Sequence, residues 1–170
     1  MFKLIVGLGN PGEKYKNNRH NTGFILLDAF AEKNDLDWKY EKKFNAEVAK
    51  WGNMLLAKPQ TFMNNSGESV AKLANYHKLP LSQVLVVHDD VDLEFGGAKV
   101  VKGSSSAGHL GVENVIRMLG SSDFHRLRVG ISRPMDVRHD VEDWVLGDFP
   151  DEQLTELKEN LFLEHLLLST

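Results

Sequence analysis

The chain has 170 residues, 42% of them apolar, no cysteine and a net charge of −4. That length supports one domain with a full core, and that composition excludes disorder as the default, disulfides and thiolate metal sites. No apolar run reaches eighteen residues and no basic-led apolar segment opens the chain, so a cytoplasmic protein without a membrane span is expected.

Residues 2–8, FKLIVGL, predict a strand, and GFILLDAFAEKN at 23–34 an amphipathic helix. FNAEVAKWG and NMLLAKP form a hairpin turning at Gly52-Asn53. SGESVAKLANYHKL at 66–79 is a helix with Ser66 as its N-cap. QVLVVHDD at 83–90 reads as a strand buried on both faces, and GGAKVVKG at 96–103 as another strand. HLGVENVIRMLG is a helix closed by Gly120. A strand (RLRVGISRP), a short helix (VEDWVLGDF) and one terminal amphipathic helix over 151–168 complete the chain. The alternation predicts a single three-layer α/β domain over residues 1–170, with a twisted mixed sheet flanked by helices.

Gly7, Gly9 and Gly12 spell G-x-G-x-x-G after the first strand. A dinucleotide site would need a helix directly after the turn, free backbone donors and an acid ending a second strand. EKYKNNRHN has no helical period, Pro11 removes a donor, and Asp28 sits inside a helix pattern. The context fails, and the loop is left holding Asn10 at the end of a strand.

Four polar loops follow strands or open helices: GNPGEKYKNNRHN, KPQTFMNNSGES, VVHDDVDL and GSSSAGHLG. In HDDVD, the carboxylates of Asp89, Asp90 and Asp92 can bind a hard cation, as a metal-dependent phosphohydrolase requires. Alternatively, one of them orients a histidine. Spacing alone does not separate these. GSSSAGH is a small-residue cradle without the lysine of a P-loop. Charge is uneven: residues 99–138 carry seven basic and three acidic side chains, residues 139–170 one basic and nine acidic. A local basic field of that kind attracts phosphates despite the overall sign.

Taken together, KLIVGLGNPGEKY, RHNTGF, KPQTFMNNSGESV, VVHDDVDLEFGGAK, GSSSAGHLG, FHRLRVGISRP and VLGDF resemble bacterial-type peptidyl-tRNA hydrolase over almost the whole chain. The resemblance implies hydrolysis of the ester between a peptide and the 3′ end of tRNA, without metal or cofactor. It implies His20 as the base, Asp89 as the carboxylate orienting it, and Asn10 as the residue holding its basic form. Tyr15, Phe62 and Asn64 match substrate-contacting positions, and Met63 and His109 positions lining the cleft. Lys99, Lys102 and Arg128 are the expected phosphate contacts to the tRNA acceptor end, Val101 standing where the family has one cation of a clamp. A monomer without membrane contact is expected. A non-catalytic RNA-binding relative is a further alternative.

The family pattern G-H-N-G here reads Gly108-His109-Leu110-Gly111. Leucine supplies no donor, and two expectations follow. Either Asn114, one helical turn on, reaches back over the Leu110 position, or the enzyme is slower and Leu110→Asn speeds it. The chain also stops at LFLEHLLLST, where the family usually continues.

Overall fold

Strands β1 (Leu4–Gly7), β4 (Met54–Pro59), β5 (Val84–Asp90) and β7 (His125–Gly130) run parallel through the centre of a seven-stranded sheet. β3 (Ala46–Trp51) pairs antiparallel with β4, β2 (Lys39–Glu41) with β3, and β6 (Ala98–Lys102) with β7, giving the order β2-β3-β4-β1-β5-β7-β6. The structure is a computed structural model that describes residues 1–160 and 162–170.

Strand parity builds two cores. Ile5, Leu56, Leu85, Val87, Leu127 and Val129 face α1 (Thr22–Lys33), α4 (Val141–Val145), α5 (Asp151–Glu159) and α6 (Phe162–Leu168). Their neighbours Leu4, Val6, Ala57, Val84 and Val86 face α2 (Ser66–Tyr76) and α3 (Leu110–Leu119). This is the expected α/β sandwich: a strand buried on both faces must be apolar at every position, and VLVV is. The same parity puts Asp89 on the face of Leu85 and Val87, toward α1.

Two expectations are corrected and one element is added. Ser66 is not an N-cap: it is the first residue of α2, and its hydroxyl donates to the Met63 carbonyl at 2.7 Å. The expected terminal helix crosses residue 161, which lies outside the described residues. On either side stand two separate helices, because Asn160 has extended backbone and its side-chain oxygen accepts the Phe162 N–H at 2.7 Å. Finally, β2 goes beyond the predicted elements; its three residues are too few to show an alternation.

The opening glycines serve packing. A Cβ on Gly7 would lie 2.5 Å from the Gly23 carbonyl oxygen, and one on Gly9 2.6 Å from the Phe24 ring. Both glycines let α1 approach the end of β1 closely, and Gly12 takes a positive φ of 111° that begins the following turn. Gly9→Ala is expected to cost about 2 kcal/mol, the usual range for overpacking, read as a lower urea midpoint with an unchanged m-value.

Candidate active site

The functional edge is the one reached by the C-terminal ends of β1, β4, β5 and β7, as is usual for an open α/β sheet. β5 delivers Asp89 there, almost fully buried. A 3-10 turn, Arg19–Asn21, precedes α1 and carries His20. The two side chains, 69 residues apart in sequence, meet: His20 Nδ1–H donates to Asp89 Oδ2 at 2.9 Å and lies 3.1 Å from Oδ1.

Asp89 holds a second imidazole. His109, the N-cap of α3, accepts the Val112 N–H through Nδ1 at 3.2 Å. Its proton therefore sits on Nε2, which donates to Asp89 Oδ1 at 2.9 Å. Burial works against the Asp89 charge, but the two imidazoles overcome it and hold the carboxyl far below its ordinary range. Burial likewise opposes protonation of His20, yet the attraction and hydrogen bond of Asp89 win, and its pKa lies above the ordinary 6.5. With Nδ1–H committed to Asp89, the unshared pair of His20 is on Nε2. A neutral imidazole fixed in this tautomer is a base ready to take a proton from water.

His20, Asp89 and His109 also place three ligand atoms within 4.8 Å of one another. The donor set does not suit a cation. A lone pair on His109 Nε2 would require a proton on Nδ1, pointed at the Val112 N–H it now accepts. Nor do the aspartates of HDDVD converge: Asp90 accepts from Arg128 Nε at 2.6 Å and Asp92 from Arg133 Nη2 at 2.7 Å.

The turn bearing His20 is held from both sides. The Asn21 amide pairs with the Asn10 backbone twice, accepting its N–H and donating to its carbonyl, both at 2.9 Å. On the other side, the Arg19 guanidinium lies 3.6 Å over the Trp144 ring, Arg19 N–H donates to the Gly147 carbonyl, and Asn18 Nδ2 donates to Asp148 at 2.6 Å. Sequence reasoning assigned no role to Arg19, Asn21 or Trp144. All act across long separations, and no local signal marks them.

Asn10 makes no hydrogen bond to His20 among the described residues. Its side-chain oxygen accepts the Met63 N–H at 2.7 Å, tying the first loop to the 3-10 turn Met63–Asn65. Met63 is buried under α3 and does not line the cleft; a Cβ on Gly111 would lie 2.5 Å from its sulfur. Tyr15 stands edge-on to Phe62 with ring centroids 6.4 Å apart, and Phe62 and Asn64 are exposed. Asn114 is also corrected. It is buried between α2 and α3, where its oxygen accepts the Gly67 N–H at 2.7 Å, and it does not reach back over Leu110.

Among the expected phosphate contacts, Arg128 is oriented by Asp90, Lys102 lies 3.5 Å from Asp123, and Lys99 is exposed opposite Arg128 on β6. Arg126 is no surface cation. It is buried, its Nη1 donates to His88 Nε2 at 3.0 Å, and its Nη2 donates to Ser104 Oγ and the Ser105 carbonyl at 2.5 and 2.6 Å. A cleft of about 420 Å³ opens beside His20, Asp89 and His109. Its remaining lining combines Leu110, Val91, Val141 and Val145 with the charged Asp90, Asp92, Arg133 and Glu142.

The profile described as peptidyl-tRNA hydrolase matches residues 4–166. The peptidyl-tRNA hydrolase of Lactobacillus gasseri is 42% identical, covering 89% of this chain and 83% of its own. That of Geotalea daltonii is 45% identical, covering 91% and 82%. The crystal structure of peptidyl-tRNA hydrolase from Acinetobacter baumannii superposes with a TM-score of 0.84 at 30% identity, covering 99% of this chain and 91% of that one.

Proposed function

The chain belongs to the peptidyl-tRNA hydrolase family and hydrolyses the ester between peptide and tRNA, and from that premise we propose that His20 is the general base of the reaction. The supporting observation is the bond from His20 Nδ1–H to Asp89, which leaves the other ring nitrogen basic beside the cleft. His20 Nε2 takes a proton from water as its oxygen attacks the ester carbonyl carbon. Asp89 steadies the imidazolium as it forms. The Asn64 amide, exposed and uncommitted among the described residues, donates to the tetrahedral oxyanion. Collapse breaks the bond to the ribose oxygen, which leaves with the proton from His20. The products are the free peptide acid and tRNA.

This chemistry uses no metal, and the activity is expected to persist in EDTA. It also fixes a pH dependence. The raised His20 pKa means that the working neutral form is lost as pH falls through a value above 6.5. Below that point kcat/KM is expected to drop tenfold per pH unit. In Asp89→Asn the attraction is gone while burial remains, so the acid limb moves to lower pH as the rate itself falls. An acid limb that stays in place in the variant overturns the assignment.

The tRNA is held through phosphates on β6 and β7. Asp90 grips Arg128 by Nε and leaves its two terminal nitrogens for a phosphate, with Lys99 alongside and Lys102 further along the edge. Lys99→Ala is expected to weaken all tRNAs alike and reduce the slope of log K against log salt by about 1, measured by filter binding. The protein acts as a monomer in the cytoplasm, which sedimentation and fractionation test.

A further inference from the structure

Leu110 stands at the first position of α3, beside His109, and is 58% exposed. A single exposed leucine means little. This one shares a cleft with Val91, just past β5, and with Val141 and Val145 of α4; of the charged residues in the same lining, Asp90 and Asp92 are already paired with Arg128 and Arg133, and Glu142 lies next to Val141 in α4. The cleft therefore brings the imidazoles and Asp89 together with a group of four apolar side chains. The ester carbonyl must approach His20, and the substituent nearest that carbonyl is the side chain on the adjoining Cα. A cleft of about 420 Å³ has room for a side chain of leucine or phenylalanine size.

We propose that Leu110, with Val141 and Val145, forms a specificity surface for the side chain of the amino acid esterified to the tRNA, and that it favours apolar residues there. This rests on the reading of His20 as the base of the same cleft. The position that could carry a donor to the reacting groups carries instead an apolar contact, which exchanges general assistance for selection.

The test uses one tRNA transcript charged with N-acetyl-leucine, N-acetyl-glycine or N-acetyl-aspartate, so the nucleic acid is constant. The wild-type enzyme is expected to show kcat/KM about tenfold higher for leucyl than for glycyl or aspartyl esters, the low end for an apolar pocket. In Leu110→Ala and Leu110→Asn that ratio is expected to fall below about two, with Asn raising the aspartyl rate. Both changes are at an exposed position and leave the core untouched. Val141→Ala, on the other element, is expected to lower the same ratio. Equal rates for the three esters in the wild type overturn the proposal and leave the His20 mechanism standing. So does a ratio unchanged in the variants, or an equal change for all three esters, which would mean that the wall meets the shared adenosine. Absence of hydrolysis of any ester by the wild type overturns the mechanism as well.

Discussion

His20→Ala is expected to lower kcat by about 10²–10⁴-fold, the usual contribution of a positioned base, while affinity for tRNA changes by less than about twofold. The split follows from the geometry. His20 touches Asp89 and the cleft, and none of the cations on β6 and β7 depends on it. The measurement is release of N-acetyl-amino acid from charged tRNA, with and without EDTA, beside a binding assay at fixed salt. The fold is expected to survive: the turn backbone is held by Asn21, Arg19 and the Gly147 carbonyl, and His109 still donates to the buried Asp89, although the loss of one imidazole lowers stability. Full turnover by the variant overturns the mechanism.

Arg126→Met is the second large effect, and it is a loss of stability. The guanidinium satisfies His88 Nε2, Ser104 Oγ and the Ser105 carbonyl from a buried position. Burial holds His88 well below the ordinary histidine range, so the ring is neutral, donates through Nδ1 to the Asp89 carbonyl and needs a donor at Nε2. Methionine keeps the stem and removes every donor. With a lost bond to a buried group costing about 1–3 kcal/mol, the three together are expected to cost about 4 kcal/mol, read from urea unfolding. The 104–109 loop would also lose its anchor, and KM is expected to rise more than kcat falls. Arg126→Lys is expected to recover only part, because one ammonium cannot span the three partners.

These two residues mark how far the sequence could be read. Six of the seven strands and most helices were legible because their signals are local: VLVV has to lie in a buried strand, and Gly120 closes α3 in the left-handed conformation. The pairing of His20 with Asp89 followed from the family resemblance and from no spacing rule. His109 was expected in the cleft, but not as the second donor to Asp89, because that requires knowing where α3 starts relative to β5. The basic segment misled in part. Lys99 faces solvent, whereas Arg126 lies inside and Arg128, Arg133 and Lys102 each have an acidic neighbour. Formal charge counts cations without saying which are already answered. Asn10 and Asn114 show the same limit, since each spends its side-chain oxygen on a backbone N–H of a distant turn or helix.

The clasp between the Asn18–Arg19 backbone and residues 144–149 has a temporal consequence. Asn18 pairs with Asp148, Arg19 N–H with the Gly147 carbonyl, and Phe149 N–H with the Asn17 carbonyl. During synthesis, β1, β4, β5 and Asp89 are complete long before residue 144 exists. A nascent chain stopped at that stage owns the carboxylate and lacks the clasp that seats the base. Competence is therefore expected to be acquired late, once residues 144–149 have been made, and a product truncated before them is expected to be less active toward the peptidyl-tRNA that carries it.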